Sequence, residues 1–288
     1  MSQVEIARLV LKLLKIEPSY TIAIDRTEWQ LGKQWVNVLM LSIAYRSISI
    51  PLFWTVLAEK GCSDNLERKA ILQEFIDEFG ANRIRFVTAD REFCSKDWLT
   101  YLVENKIAYR LRIKASYQIT NRRGELIKAS RLCRTLKVNE RMELRAKRRL
   151  WNRAVFVAVC RKADGDQVLV ISSEKSGKIL SEYGERWKIE TLFGILKTRG
   201  FRLEDTHLTE IERVSKLLSL LTIAVIWAML VGELEGQAQP LKTKKHGNLE
   251  KSIFRLGFET LRNCFCQLTT NFRQKQRFQQ LTLLLSCI

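Results

Sequence analysis

The chain has 288 residues, of which 46% are apolar, enough to bury the core of one large domain or of one domain carrying an insertion. This composition excludes a disordered tail. The 49 Lys and Arg outnumber the 31 Asp and Glu and give a net charge of +18, which favours a polyanionic partner, nucleic acid first and an acidic membrane surface second. The excess is concentrated in residues 110–153, which hold fifteen Lys and Arg against three Glu.

The seven cysteines are scattered, without a C-x2-C pair, and the chain has only two His. A structural zinc site therefore has little support. The odd number of cysteines and their apolar neighbours predict reduced, mostly buried thiols in a cytoplasmic protein. Residues 1–15 predict a short amphipathic helix and lack the order of regions that a signal peptide shows.

The first half of the chain predicts an α/β fold with three strands in a meander, joined by short polar turns of which the first is at Gly32 and Lys33. In chain order the predicted elements are strands 20–25, 36–45 and 49–57, helix 65–79, strand 84–90, helix 95–105 and strand 108–113. Asp25 and Asp90 each end a predicted strand, where an acid has no packing role to fill.

The second half changes character. Short alternating apolar runs separated by Asn-, Asp- and Gly-containing turns predict a small basic all-β insertion. Residues 210–233 predict an apolar helix whose centre, 217–231, is shorter than a membrane span and contains Ser219 and Thr222, so a core helix lying on a sheet is the favoured interpretation. The predicted domains are an N-terminal helix (1–18), a first core part (19–115), the β insertion (116–180), a second core part (181–260) and a helical tail (261–288).

Residues 181–201 predict one amphipathic helix of about five turns. It carries four polar side chains, Tyr183, Arg186, Glu190 and Lys197. At 100° per residue they fall at roughly 0°, −60°, −20° and −40°, so they share one narrow stripe. Gly200 is placed to end this helix in a left-handed turn. Periodicity alone leaves two interpretations open, a surface helix with i,i+4 charge pairs or a helix that carries a site.

Three acids from separate predicted elements are candidates for metal-dependent chemistry: Asp25, Asp90 and Glu190. Magnesium and manganese prefer hard oxygen ligands, and two ions roughly 4 Å apart can activate a water and stabilise the leaving oxygen in phosphodiester displacement. Each acid taken singly is explained as well by a turn or a helix cap. Together, in a strongly basic chain, they favour metal-dependent chemistry on nucleic acid.

The spacing of the stripe reads Y-x2-R-x3-E-x6-K and resembles the signature of the YREK subgroup of DDE transposases encoded by bacterial insertion sequences. AID at residues 23–25 and ADRE at residues 89–92 resemble that family's first and second aspartate motifs. Residues 199–209 and 246–257 are also similar to the family, so the resemblance runs from about residue 20 to about residue 261.

This resemblance implies an RNase H-like α/β fold interrupted by a β insertion, two divalent ions (Mg2+ or Mn2+), and cut-and-paste transfer of DNA ends. Carried over by position, the catalytic metal ligands are Asp25, Asp90 and Glu190, and the side chains that contact transposon-end phosphates are Tyr183, Arg186 and Lys197. The implied partners are double-stranded DNA, at the transposon ends and at the target, and a second copy of the chain in a synaptic complex. No membrane partner is expected.

Three further residues are candidates for DNA contact. Arg112 and Lys114 follow Asp90 on the next predicted strand and could touch the DNA backbone, although a solvated strand end explains them equally well. Trp151 lies in the basic insertion and could stack on an unpaired base near the cut, although a Trp of the insertion core is the more common case.

The resemblance is incomplete at the start of the chain. Only 24 residues precede Asp25, whereas family members usually carry a longer N-terminal region that recognises their inverted repeats. A truncated element, the second half of a frameshifted gene and a form that binds DNA without sequence specificity all stay open. We expect a transposase catalytic domain that hydrolyses phosphodiesters and transfers strands; the alternatives are a metal-dependent nuclease of the same fold and a non-catalytic DNA-binding relic or inhibitor of transposition.

Overall fold

The computed structural model describes residues 1–31, 33–57, 64–244 and 249–286. Four features considered above lie outside these residues: Gly32 of the first turn, Cys62, Cys287, and residues 246–248 at the start of the 246–257 motif. The other five cysteines are unpaired thiols, of which Cys266 is exposed.

The described part of the chain contains eight α-helices and eleven β-strands. The helices are α1 (Gln3–Leu14), α2 (Asn65–Phe79), α3 (Lys96–Glu104), α4 (Ile179–Gly184), α5 (Trp187–Gly194), α6 (Ile211–Ala238), α7 (Ile253–Cys266) and α8 (Phe272–Ser286). The strands are β1 (Tyr20–Leu31), β2 (Gln34–Tyr45), β3 (Ile48–Leu57), β4 (Ile84–Ala89), β5 (Tyr109–Arg112), β6 (Gln118–Thr120), β7 (Leu126–Lys128), β8 (Arg141–Glu143), β9 (Arg148–Leu150), β10 (Arg153–Arg161) and β11 (Gln167–Ser172).

The first five strands form a mixed sheet in the order β3-β2-β1-β4-β5. The meander β1-β2-β3 is antiparallel, whereas β4 lies parallel to β1 and β5 lies parallel to β4. Pro51 lies in β3, which ends this side of the sheet and so tolerates a residue that cannot donate to the ladder. The strand order and directions are those of an RNase H-like fold, which confirms the predicted fold class.

Strand β1 is longer than predicted, because Asp25 does not end it. Its antiparallel pairing with β2 continues from Ile22 to Leu31, and Asp25 faces Met40 within that ladder. The parallel pairing with β4, by contrast, stops at Ile24 opposite Ala89. Asp25 therefore lies at the end of the parallel pair while remaining in the middle of the strand.

The strands between residues 118 and 172 continue the same sheet. Strand β11 pairs with β5, β10 pairs with β11, and β10 leads through β9 and β6 to β7, with β8 also paired to β10. Strands β10 and β11 thus belong to the continuous sheet and not to a separate unit. The domain boundaries given above stay a prediction.

Helix α6 is the one helix in the described residues that is long and apolar enough to cross a membrane, with a mean hydropathy of 2.2 in its most apolar window. A core helix of a folded domain passes the same test. Here α6 packs on β3, α1, α7 and α8, and Ser215 on α6 accepts a hydrogen bond of 2.9 Å from the Trp54 indole on β3.

Residues 181–201 do not form the single helix that their periodicity predicts. Helix α4 ends at Gly184, α5 begins at Trp187, and a π-helical turn, Ile195–Arg199, follows α5. The joint between α4 and α5 is closed by i→i−3 bonds, including one of 3.0 Å from the Arg186 amide to the Tyr183 carbonyl. Three-residue turns place side chains at i and i+3 directly above one another.

Gly200 ends this segment in a different way from the predicted left-handed turn. Its φ is −149°, and a Cβ built there would lie 2.7 Å from the Ile195 carbonyl oxygen. That same carbonyl accepts a bond of 2.9 Å from the Phe201 amide, so glycine is required here by close backbone approach and not by a positive φ.

Helices α6 and α7 cross with their backbones in contact. A Cβ on Gly257 would lie 1.9 Å from the Ala228 carbonyl oxygen and 2.5 Å from the Gly232 nitrogen. A Cβ on Gly232 would lie 2.0 Å from the Ile253 carbonyl oxygen. This crossing accounts for the glycine at the end of the 246–257 motif, since any side chain there would force the helices apart.

Gly257→Ala should therefore destabilise the protein by about 3 kcal/mol through overpacking against rigid backbone. Gly236→Ala on α6 is the matched control, because its Cβ would meet only the Ile253 Cδ1 at 3.5 Å and alanine favours a helix by up to about 1 kcal/mol. Urea unfolding of both variants measures the difference. Equal stability of the two would show that the crossing is not tightly packed.

Candidate active site

The parallel pairing of β1 and β4 brings Asp25 and Asp90 together. Ile24 and Ala89 are the last paired residues, and the two aspartates follow them directly. Parallel strands end at the same edge of a sheet, so successive residues at that edge are neighbours. The side chains remain partly accessible, Asp25 at 13% and Asp90 at 28%.

Helix α5 brings Glu190 to the same edge. Its apolar face, formed by Ile189, Leu192 and Phe193, is buried, and the helix packs on β1, β2 and β3. Burying that face turns the opposite side of the helix outward, and the Glu190 side chain is accordingly 52% exposed.

A buried guanidinium links these acids. The Arg186 side chain is only 6% exposed; its Nη1 donates to Asp25 Oδ2 at 2.9 Å and its Nη2 donates to Glu190 Oε1 at 2.5 Å. Arg186 therefore takes up the negative charge of one acid on β1 and one on α5, and it lies among the acids rather than on a surface open to DNA.

Tyr183 carries the network on to the third acid. Its hydroxyl accepts from Arg186 Nε at 3.1 Å and donates to Asp90 Oδ1 at 3.1 Å. The three-residue turn at the α4–α5 joint places the Arg186 guanidinium carbon 5.7 Å from the centre of the Tyr183 ring. Tyr183 is buried, so in this state it contacts a carboxylate and not a phosphate.

Burial is the largest single influence on the pKa of Asp25 and on that of Arg186. It raises the pKa of the Asp25 carboxyl to about 6, and the Arg186 charge and the Arg26 amide offset part of that rise. Burial lowers the pKa of Arg186, but the contact with Tyr183 and the charges of the acids outweigh it, so that pKa lies above its ordinary value. The guanidinium is thus firmly charged, and it is the resident cation of the acidic site.

Lys197 does not join this network. It lies in the π-helical turn, where its Nζ donates to the Glu28 carbonyl oxygen at 2.7 Å and pairs with Glu204 Oε1 at 2.9 Å. A π turn changes the direction of the side chains that follow it. The common stripe predicted for four side chains therefore holds for Tyr183, Arg186 and Glu190, while Lys197 lies further along β1.

Arg112 and Lys114 lie in different surroundings. Arg112 Nη1 is 3.7 Å from Asp90 Oδ1 and its Nη2 is 3.0 Å from Asp166 Oδ2, with the side chain 13% exposed. It therefore neutralises acids in this structure. Lys114 is exposed and available to a phosphate. A role of either side chain in DNA contact stays a prediction.

Trp151 lies at the tip of the β9–β10 hairpin. Trp151 and Asn152 have φ of 50° and 63°, as the two central residues of a type I′ turn require. The indole packs against Tyr117 with ring centres 5.0 Å apart, and it borders a cavity of about 570 Å³ with Lys96 and Arg149. It is half-buried, so part of its surface remains accessible.

The structure also brings two residues to the site that had no predicted role. Glu92, in the loop after β4, raises the pKa of Asp25 and lies 3.6 Å from Arg26 Nη2. Glu92 could have been recognised in the sequence as an acid two positions after Asp90, at the same edge of the sheet. Trp187, 49% exposed, packs its ring edge against Tyr183.

The donor set suits a divalent ion in its chemistry. Asp25, Asp90 and Glu190 present hard carboxylate oxygens from three separate elements, and each is partly accessible. Within the described residues no group of three acids, histidines or cysteines stands close enough to hold a metal. The place between Asp25 and Glu190 is filled by the Arg186 guanidinium, which supplies the positive charge that these oxygens require.

A mixed sheet of this strand order, flanked by helices, defines an RNase H-like fold, and the three acids lie at the end of its central parallel pair and on a later helix. Residues 17–227, well over half of the chain, match the family model described as "Transposase DDE domain". The chain belongs to this family of transposases, whose members generally use divalent metal ions.

Among solved structures, the chain is similar to a piggyBac transposase whose cryo-EM structure is of a synaptic complex with hairpin DNA. The identity is 11% and the TM-score 0.45, over 94% of this chain and 59% of that one. The chain thus spans less than two thirds of the length of that protein. No curated protein matches the chain.

Arg186→Met should destabilise the metal-free protein, on the order of 3 kcal/mol, because it leaves the largely buried Asp25 carboxylate without its cation. Lys197→Met serves as the control, since Lys197 and its partner Glu204 are more exposed, at 22% and 37%, and its loss should cost less than about 1 kcal/mol. Thermal unfolding in the presence of a chelator, and then with added Mn2+, measures both effects. Mn2+ should restore stability to Arg186→Met more than to the control, and equal losses in the two variants would refute a central role for Arg186.

Proposed function

We propose that the chain is the catalytic domain of a DNA transposase that hydrolyses phosphodiester bonds at the ends of an insertion sequence and transfers the freed strands. One observation carries the proposal: in a member of the transposase family, Asp25, Asp90 and Glu190 share one hydrogen-bonded network through Arg186 and Tyr183. A structural salt bridge has no need of three acids from three elements around one cation.

The proposed metal ligands are Asp25, Asp90 and Glu190. Two divalent ions, when bound, lower the pKa of the attacking water and stabilise the departing 3′ oxygen. The protein's part is to fix the carboxylates relative to one another. The β1–β4 pairing fixes Asp25 and Asp90, and the packing of α5 on the first three strands fixes Glu190.

Arg186 and Tyr183 have two roles in this proposal. In the DNA-free state they hold the acids, as their burial and contacts indicate. Before Asp25 and Glu190 can accept another cation, the guanidinium must leave them. Turned outward, its planar fork matches two oxygens of a phosphate at the transposon end. The positive charge of Arg186 then faces the DNA phosphate, and Asp25 and Glu190 become available to bind another cation.

DNA contact is proposed to extend along both sides of the acids. Lys197 lies beyond them along β1, next to the Glu28 carbonyl, and Lys114 is exposed after β5. The partly accessible indole of Trp151 offers a stacking surface for an unpaired base. Arg112 could contact the backbone only by releasing Asp90 and Asp166.

The finer assignments belong to the same proposal. Membership of the YREK subgroup rests on the spacing of Tyr183, Arg186, Glu190 and Lys197, and a bacterial, cytoplasmic insertion-sequence protein follows from that subgroup. Double-stranded DNA as the substrate is supported by the net charge of +18. A homodimer in a synaptic complex follows from the need to hold two transposon ends at once.

Glu190→Gln should reduce cleavage of a transposon-end duplex by about 100-fold or more, while DNA affinity changes little, because it removes a ligand charge and no phosphate contact. Glu185→Gln is the matched control: it makes the same change one turn away, on an acid paired with Lys188. Nicking assays and fluorescence anisotropy measure the two quantities. Wild-type nicking by Glu190→Gln would refute the metal-ligand assignment.

Strand transfer distinguishes a transposase from a nuclease of the same fold. A pre-cut end with a free 3′-OH, incubated with the full chain, Mn2+ and a target plasmid, should yield joined products, because the same acids that position water can position the 3′-OH. Cut ends that are never joined would identify a nuclease. Binding without either reaction would identify the non-catalytic relic or inhibitor.

A further inference from the structure

A second buried arginine, on β9 of the basic insertion, has no carboxylate partner among the described residues. Arg148 begins β9 and is 5% exposed. Its Nη1 donates to the carbonyl oxygens of Ala146 and Lys147 at 3.0 and 3.1 Å. Its Nε has essentially no accessible surface and no hydrogen-bond partner among the described residues. Buried donors are nearly always satisfied, so an orphaned guanidinium edge requires an explanation.

The surroundings of Arg148 are electropositive. It borders a cavity of about 440 Å³ that is also lined by Arg122, Arg123 and Arg131. These three side chains are exposed, and none forms an ion pair within the described part of the chain. Glu125 is the one acid of the lining, and its carboxylate accepts a hydrogen bond of 2.7 Å from Asn121. Burial, and then the Arg122 charge, lower the pKa of Arg148.

The arginines converge from three separate segments of the insertion. Arg122 and Arg123 lie in the β6–β7 turn, Arg131 lies in a 3-10 helix, Ala129–Cys133, and Arg148 lies on β9. A solvated run of charge would spread its side chains apart. Here they border one concave site with apolar side chains, among them Leu132, Met142 and Leu144.

We propose that this cavity binds one backbone phosphate of DNA, with Arg148 as its fork and Arg122, Arg123 and Arg131 as surrounding charges. Within the described part of the chain, Arg148 bonds through Nη1 and its Nε is unpaired, so its Nε–H and Nη2–H edge is the one left for a ligand; two parallel N–H donors match two phosphate oxygens. Because Nε has essentially no accessible surface, binding of a phosphate requires the Arg148 side chain to turn toward the cavity that it borders. The inference rests on the proposed DNA substrate and adds a defined phosphate site to it.

Arg148→Met tests the site, and Arg161→Met is the matched control. Arg161 also has an Nε without a partner among the described residues and an Nη1 bonded to a carbonyl, that of Leu136, but it does not line the cavity. On a duplex, Arg148→Met should lower DNA affinity at low salt and reduce the slope of log K against log salt by about 0.9, the equivalent of one phosphate. Arg161→Met should leave the slope unchanged.

Stability gives a second readout. Arg148→Met removes a buried donor without an acceptor, and the two carbonyls that it releases belong to exposed residues, so its melting temperature should be equal to or above that of the wild type. Weaker DNA binding together with undiminished stability is the signature of a binding residue. Wild-type DNA binding by a folded Arg148→Met would overturn the inference.

The wild-type protein provides a test that does not depend on the folding of any variant. In 15N-arginine-labelled protein, the Arg148 Nε–H signal, assigned with Arg148→Lys, should shift on addition of an equimolar short duplex, and the Arg161 signal should not. A shift with inorganic phosphate alone and none with duplex would overturn the assignment to DNA, as would no shift with either. If the wild type binds no duplex at all, the proposed function itself fails; if it binds and both methionine variants match it, only this site fails.

Discussion

The structure at the catalytic edge depends on one buried cation. Three acids brought to the same edge of a sheet repel one another, and Asp25 is also largely dehydrated. The guanidinium of Arg186 offsets both effects by bonding to Asp25 and Glu190 and, through Tyr183, to Asp90. Neither partner could be buried alone, because an uncompensated buried charge costs several kcal/mol. The acids and the arginine therefore require each other until another cation takes the place of the arginine.

The irregular helix that carries Arg186 follows from this requirement. Three-residue turns at the α4–α5 joint bring Tyr183 and Arg186 over one another, which a regular helix at 100° per residue would separate by about 60°. After α5 the π turn directs Lys197 to Glu28 instead of to the acids. The apolar face of α5 fixes the regular helix between these two joints.

The parts of the fold that depend on residues close together in the sequence were predicted. Helix α2 has the predicted bounds, whereas the adjacency of Asp25 and Asp90 depends on the long-range parallel pairing of β1 with β4. Features set by distant contacts were not predictable. Pairing with β2 extends β1 to Leu31, and pairing with β5 adds β11 to the main sheet. Of the two acids bonded to Arg186, Asp25 lies 161 residues away and Glu190 four residues away. The spacing that placed the stripe assumed a regular helix, and the bonds that break its regularity come from the site itself.

Two buried arginines thus have opposite electrostatic surroundings. Arg186 is bonded to two acids, so any departure from them must be compensated by new positive charge; in the proposed function, metal binding and movement of Arg186 are therefore linked. Arg148 is paired with no acid in the described ranges, so an anion would bind it without breaking an ion pair there. In the proposed function, a DNA duplex that spans the insertion and the acidic edge would gain a contact at Arg148 without breaking an ion pair among the described residues. The free energy of that contact would then offset part of the cost of moving Arg186. Bound metal ions would not have to supply the whole of that cost.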